Sequence, residues 1–329
     1  MKLLVTGGCG FIGSNFIRLV LNEHPDWQVT NLDSLTYASS RDSLKDIEGN
    51  PSYSFIHGDI RDTSAIASFS TGSGGEGLGG PDAIINFAAE SHVDNSIKNP
   101  DIFVDTNVLG TMNLLRAASK WECRFVQVST DEVYGSLKSE DHTFTESSQI
   151  APNSPYSASK ASAEHFVMAW HETYGTDTVI TRCSNNYGPY QFPEKLIPLA
   201  ITNLLSGYKV PVYGDGSNIR DWIHVEDHCR AVLSVLLKGT SGESYNVGSD
   251  SEKSNMEIVK KICNTLEKAG EFEFVADRLG HDWRYGIDSS KIKAELGWSP
   301  RISFEEGFKQ TINWYVSNPE WWKPLKDSL

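Results

Sequence analysis

Tyr156-Ser157-Ala158-Ser159-Lys160 sets a phenol and an ammonium four residues apart, so on a helix both lie on one face. An adjacent ammonium stabilises a phenolate. A free phenol titrates near ~10, and a base working near pH 7 must be brought down by about 3, roughly 4 kcal/mol. The spacing predicts that Lys160 does this for Tyr156, a pairing suited to taking a proton from an alcohol as hydride leaves the same carbon. A second stretch, Ser129-Thr130-Asp131-Glu132-Val133-Tyr134-Gly135, adds a hydroxyl and two carboxyl groups at a predicted strand end. Oxidation alone needs neither carboxyl. An acid beside a base points to an elimination as well. In an extended chain Asp131 and Glu132 face opposite ways, so joint action requires the backbone to turn at Asp131.

These groups need a scaffold. Short β-branched runs at 3–6, 28–33, 54–59, 83–88, 124–130 and 178–184 alternate with helical stretches such as 13–23 and 104–120. That alternation predicts an α/β fold, a doubly wound parallel Rossmann sheet. Beyond about Asn186, Pro189, Pro193, Pro198 and Pro211 break the pattern, which predicts a smaller mixed α/β substrate-binding lobe. The expected division is a cofactor-binding domain with the catalytic residues over 1–186 and a substrate-binding lobe over 187–329, the chain crossing between them.

The cofactor assignment rests on Thr6-Gly7-Gly8-Cys9-Gly10-Phe11-Ile12-Gly13, which follows a predicted strand and opens a helix. Gly7, Gly10 and Gly13 permit a tight turn and let the backbone of this segment, Phe11 and Ile12 included, approach a pyrophosphate at the helix N-terminus. Asp33 ends the second predicted strand, where a carboxylate accepts from a ribose 2′-hydroxyl and repels a 2′-phosphate; this predicts NAD rather than NADP. Asp59 and Ile60, after the third strand, are expected beside the adenine. Phe87, Ala88 and Ala89 follow the fourth, where small alanines admit the cofactor; Phe87 fits core packing equally well.

Among 329 residues the formal charge is −14, which argues against nucleic acid and anionic membrane surfaces as partners but not against a small anionic ligand. Five scattered cysteines without a Cys-x-x-Cys read as buried thiols in a reducing cytosol, and no apolar run approaches a membrane span, so the expected location is cytoplasmic. His92 has no second histidine or spaced carboxylate beside it, and no metal site is expected. The Gly-rich segment 70–80 precedes the strand at 83 and so falls at the N-terminal edge of the sheet. Ligands bind beyond the opposite edge, so it reads as a surface loop rather than a phosphate cradle.

The chain resembles the extended short-chain dehydrogenase/reductase family and, within it, the dTDP-glucose 4,6-dehydratases, over nearly its whole length. The resemblance is carried by Ala88-Ala89-Glu90-Ser91-His92-Val93-Asp94, the Thr130-Asp131-Glu132 stretch and the segment from Ser184-Asn185-Asn186-Tyr187-Gly188-Pro189 to Pro198. Arg220-Asp221-Trp222 and Asp277-Arg278-Leu279-Gly280-His281-Asp282 add to it. Glycine fingerprints and Tyr-x-x-x-Lys are shared with sugar epimerases and decarboxylases; the Thr-Asp-Glu triplet is much more specific to dehydratases. The resemblance implies that hydride passes from sugar C4 to NAD while Tyr156 takes the hydroxyl proton. The ketone makes C5–H removable by Glu132, Asp131 protonates the departing C6 oxygen, and hydride returns to C6.

It further implies that Thr130 bonds the C4 oxygen, that Lys160 holds the nicotinamide ribose, and that Asp131 is protonated while Glu132 is ionised. Ser91, His92, Asn185, Lys195, Leu196, Tyr213, Arg220, Asn255, Arg278 and His281 are the implied substrate contacts. Within that set, Arg220 and Arg278 would fork to the diphosphate and Tyr213 would stack on the base. A homodimer through helices near 104–120 and 157–174 and a place in deoxysugar biosynthesis, as on a rhamnose pathway, are implied too. Two positions depart from the family pattern: Asn95 and Trp283 stand where it usually has arginines. The same chemistry on UDP-glucose or another nucleotide sugar, a 4-epimerase, and a non-catalytic NAD-binding scaffold are the competing readings.

Overall fold

The computed structural model describes residues 1–71 and 79–327. Strands β1 (Lys2–Thr6), β2 (Gln28–Asp33), β3 (Tyr53–His57), β4 (Ala83–Asn86), β5 (Arg124–Thr130) and β6 (Thr178–Cys183) alternate with helices. After them come β7 (Asn185–Tyr187), β8 (Val210–Tyr213), β9 (Ile219–His224), β10 (Ser244–Val247), β11 (Glu252–Ser254) and β12 (Phe272–Val275). The main sheet has the order β10-β6-β5-β4-β1-β2-β3, every neighbouring pair parallel. Its direction of winding reverses between β1 and β4, so the helices that follow them lie on opposite faces and a crevice opens at the C-terminal edge.

Side-chain alternation explains why this sheet is covered twice. Leu3 and Val5 point into a core shared with Phe16, Ile17 and Val20 of helix Phe11–Glu23 and with Val232 and Val235 of helix Val225–Lys238. Leu4, between them, points the other way, toward Leu114 and Leu115 of helix Thr111–Trp121 and Val167 of helix Pro155–Tyr174. The helix expected over 104–120 begins with a π-helical segment, Val104–Gly110. Three strands end short of expectation, β6 by one residue at Cys183. β3 stops at His57, and β4 stops at Asn86 because Gly7, at φ 69°, bends the neighbouring β1 chain away. Phe87 N–H still reaches Thr6 O at 3.0 Å, the final bond of that ladder.

A second core gathers Tyr187, Trp222, Ile258, Phe308 and Tyr315 between helices Leu196–Leu205, Asn255–Thr265 and Phe304–Ser317. Beside it stand a mixed sheet, β11-β9-β7, and a parallel pair, β12-β8. The chain re-enters the main sheet at β10, alongside β6. Of the Gly-rich segment, residues 72–78 lie outside the described residues. Its described flanks are the end of helix Thr63–Thr71 and Gly79–Gly80, just before β4. All five cysteines are buried free thiols. Among the described residues no helix is long and apolar enough to cross a membrane.

Candidate active site

The C-terminal ends of the parallel strands open into one cleft. It brings together Gly7, Gly10, Phe11, Ile12, Gly13, Asp33, Asp59, Ile60, Phe87, Ala88 and Ala89 with Ser91, Thr130, Asp131, Glu132, Tyr156, Lys160, Asn185 and Lys195. Two glycines are sterically required. A Cβ on Gly7 would sit 2.6 Å from Ala88 N, and one on Gly13 would collide with Gly7 O. A Cβ on Gly10 would be tight, 3.3 Å from Gly7 O; as N-cap it leaves helix Phe11–Glu23 without a side-chain cap or an acidic residue in the first turn, so the amides and the positive dipole end face the cleft. Asp33 is pinned at the tip of β2: it accepts Cys9 N–H at 2.9 Å, Leu35 N–H at 2.8 Å and the Ser39 hydroxyl at 3.1 Å. Phe87 both lines the cleft and packs 5.1 Å from the Phe16 ring. A glycine-lined helix N-terminus beside a fixed carboxylate fits a dinucleotide lacking a 2′-phosphate.

The catalytic candidates come from two elements. Thr130 ends β5 and caps a tight 3-10 turn, Asp131–Tyr134, by accepting Glu132 N–H at 3.3 Å. This is the turn that the adjacent carboxyl groups require. Asp131 is buried, its Oδ1 3.4 Å from the Thr130 hydroxyl and its Oδ2 without a protein partner. Burial, then the charges of Glu132 and Asp221, hold its carboxyl well above the usual range, which favours the protonated form an acid needs. Burial also raises Glu132, but Arg220, Lys195 and Arg278 oppose that and support its anion. One carboxyl is thereby set up as an acid and its neighbour as a base.

The other element is helix Pro155–Tyr174, started by a Ser154–Ser157 capping box with Pro155 in its first turn. Tyr156 and Lys160 share its cleft-facing side, and Thr130 hydrogen-bonds the phenol. Here the expected pKa effect is corrected. Desolvation and the Glu132 charge hold Tyr156 well above the ordinary phenol value, and Lys160 does not lower it. Lys160 Nζ donates to Val128 O at 2.7 Å, and burial pushes its own pKa down to about 8.

The implied nucleotide contacts are more dispersed. Lys195 lines the cleft and donates to Ser91 O at 2.8 Å. His92, Leu196, Tyr213, Arg220, Asn255, Arg278 and His281 do not line it. His92 Nε2 stands 3.9 Å from Glu194, and burial with the Lys195 charge pushes the imidazole down to about 4. Leu196 begins a helix and packs on the second core, and Asn255 N–H bonds Asn218 O at 2.9 Å. The two arginines are not presented as open forks. Arg220 is buried, donates to the carbonyls of Ile219 and Asp282 at 2.7 and 2.9 Å, and lies over the Tyr285 ring. Arg278 pairs with Asp94 at 2.9 Å and covers the Tyr213 ring at 5.4 Å, the face expected to receive a base. His281 bonds Asp277 at 2.7 Å. Asn95 donates to the Tyr37 hydroxyl at 3.1 Å, and Trp283 is partly exposed.

Sequence reasoning missed Ser39, Arg61, Thr106, Cys183, Gln191 and Glu194, all of which line the cleft. Cys183 had a usable signal, since it ends a parallel strand; the others are loop or helix positions brought in by tertiary folding.

Known proteins align with this geometry. A family model described as GDP-mannose 4,6 dehydratase matches residues 4–311. The dTDP-glucose 4,6-dehydratase of Escherichia coli is 48% identical, with 99% of this chain and 97% of that protein covered. DesIV, a dTDP-glucose 4,6-dehydratase from Streptomyces venezuelae crystallised with NAD, superposes with a TM-score of 0.93 at 50% identity, over 99% of this chain and all of that one. A dTDP-glucose 4,6-dehydratase from Bacillus anthracis, also in complex with NAD, gives 0.90 at 47% identity over 99% of each chain.

Proposed function

This chain belongs to the dTDP-glucose 4,6-dehydratase family, and from that premise we propose that it converts dTDP-glucose to dTDP-4-keto-6-deoxyglucose with loss of water. The observation that carries the reading is the convergence of Asp131, on a tight turn, and of Glu132, flanked by the charges of Arg220, Lys195 and Arg278, in one cleft with Tyr156. A 4-epimerase has no use for that pair.

NAD fits the glycine-lined arm and, bound there, would supply the acceptor for hydride from C4 and the donor of hydride to C6, and its positive charge would favour the phenolate form in which Tyr156 can take a proton. Gly7, Gly10 and Gly13 hold its pyrophosphate, Asp33 its adenosine ribose, Asp59 and Ile60 its adenine, and Lys160 its nicotinamide ribose. Tyr156 accepts the C4 hydroxyl proton, relayed within reach of the Thr130 hydroxyl. The ketone so formed renders C5–H acidic, and Glu132 takes that proton. Asp131 gives its proton to the C6 oxygen, which departs as water; Glu132 returns its proton to C5 as C6 is reduced, and the proton held by Tyr156 replaces the one lost from Asp131, so the sum over a turnover is loss of one water. The remaining contacts, from Ser91, His92, Asn185 and Lys195 to Arg220, Asn255, Arg278 and His281, serve the nucleotide diphosphate, with Tyr213 at the base.

The proposed division near 186 is one in which the chain crosses between lobes: Val232, Val235 and Tyr245 return to the first core, while Trp222, Ile258 and Phe308 form the second. A homodimer is supported by half-exposed Val104, Leu109 and Met168 on the adjacent segments Val104–Gly110 and Pro155–Tyr174. Buried, unpaired thiols suit a cytoplasmic enzyme of deoxysugar biosynthesis. The test is isotopic: with dTDP-glucose deuterated at C4, the label is expected in the C6 methyl group of the product. Label lost to solvent, or retained at C4, overturns the reading.

A further inference from the structure

The two catalytic elements act on neighbouring carbons of one sugar, so their relative placement must hold to a fraction of an ångström. The Asp131–Tyr134 turn has only four residues, a capping bond at each end, and Val133 O bonded to Ala151 N–H at 2.9 Å. Its bracing comes from beneath the cleft. Tyr134, buried, accepts a hydrogen bond from Arg182 at 2.7 Å and donates to Asn246 Oδ1 at 2.8 Å. Arg182, on β6, directs Nε and its other terminal nitrogen to one oxygen of Glu164 at 2.9 and 2.8 Å. Glu164 lies one helical turn beyond Lys160 on the helix that carries Tyr156. The Tyr134 ring is sandwiched in place: Phe144 stacks on it at 4.9 Å, and the Arg182 guanidinium lies 5.0 Å from its centre. Val133 and Tyr134 also pack on Ala161, the residue after Lys160. Neither Tyr134, Arg182 nor Glu164 lines the cleft.

We infer that the Tyr134 hydroxyl is a positioning group for the elimination half of the reaction, tying the Asp131–Glu132 turn through Arg182 and Glu164 to the helix that bears Tyr156 and Lys160. The inference rests on the proposed dehydration. A Glu164–Arg182 pair alone would serve stability. The further link to Tyr134 makes the pair a clamp between the oxidation group and the acid–base group. Tyr134 is the mildest point at which to cut it, because phenylalanine keeps the ring stack and loses only the hydroxyl.

Tyr134→Phe, loaded with NAD and mixed with dTDP-glucose, is expected to lose about ten- to hundredfold in kcat with KM little changed. Oxidation at C4 then outpaces elimination, and near-ultraviolet absorbance of reduced nicotinamide builds up to a level that the wild type does not reach. Arg182→Lys keeps a positive charge beside Glu164 but gives up the planar group that bonds Glu164 and Tyr134 at once. It is expected to show the same build-up and takes over the test if Tyr134→Phe does not fold. Wild-type kcat and no accumulation in the folded variant overturn the inference. So does slow turnover without accumulation, since general loosening slows both halves alike. Failure of the wild type to form any 4-keto sugar in the same assay would instead overturn the dehydratase reading.

Discussion

The acid–base turn and the nucleotide end are built on opposite plans. Asp131 and Glu132 sit where a buried strand meets a capped turn, with Asp131 buried and its second oxygen free of any protein partner. Arg278, Tyr213 and Asp94 sit on loops and a strand end and satisfy one another by an ion pair, a ring contact and a 3.2 Å hydrogen bond. One region spends its folding energy on keeping groups unsatisfied and ready. The other is self-satisfied and must exchange partners when a diphosphate and base arrive. Preorganisation thus belongs to the chemistry, and adaptability to the recognition of the nucleotide.

That contrast can be broken at the chemical end first. Glu132→Gln removes the base and leaves the turn nearly isosteric, so product formation is expected to fall about a thousandfold. C4 oxidation continues, and bound reduced nicotinamide is read by absorbance in a single-turnover mixture. Gly13→Ala places a methyl group against Gly7 O and is expected to cost about 1–3 kcal/mol of stability, with NAD affinity falling alongside, as calorimetry and NAD titration would show.

The nucleotide end should respond in binding rather than in the chemical step. Arg278→Ala is expected to raise KM about tenfold at nearly constant kcat, the mark of lost uniform binding. Asp94→Asn releases Arg278 from its ion pair and should tighten dTDP two- to fivefold, about 0.5–1 kcal/mol, in a titration of the nucleotide alone. Of dTDP, UDP, CDP and GDP, dTDP is expected to give the largest thermal shift.

The smallest effect concerns Lys160 in the ligand-free protein. Its folded pKa, about 8, lies below the ordinary 10.5. The unfolded chain therefore holds the extra proton between those values, and stability rises with pH across that window. The cost of burying the charge is fully present below about 8 and is relieved as pH climbs toward 10.5. Ligand-free Lys160→Met should then unfold at a higher temperature than the wild type at neutral pH, the gap closing as pH rises.

Local patterns in the chain carried much of this. β2 and β5 run over the residues that alternation and β-branching indicate, and the chain does turn at Asp131. Gly7 and Gly13 sit where a side chain cannot, and Asp33 ends its strand beside them. Other features depended on segments remote in sequence. The phenol of Tyr156 is raised by burial and then by the charge of Glu132, while the Lys160 amine is bonded to Val128 O, 32 positions from it. The arginines at 220 and 278 are committed to Asp282 and Asp94, partners that no spacing rule identifies.

By itself the amino-acid order determined which residues share a helical face, where strands end and which side chains bring chemistry to the sheet edge, since these follow from short-range backbone geometry. Only the tertiary structure decided the charge state of each group and who its neighbours are. Desolvation and Coulomb energies depend on distances between chain segments that meet only on folding, and the order of residues does not encode those distances locally.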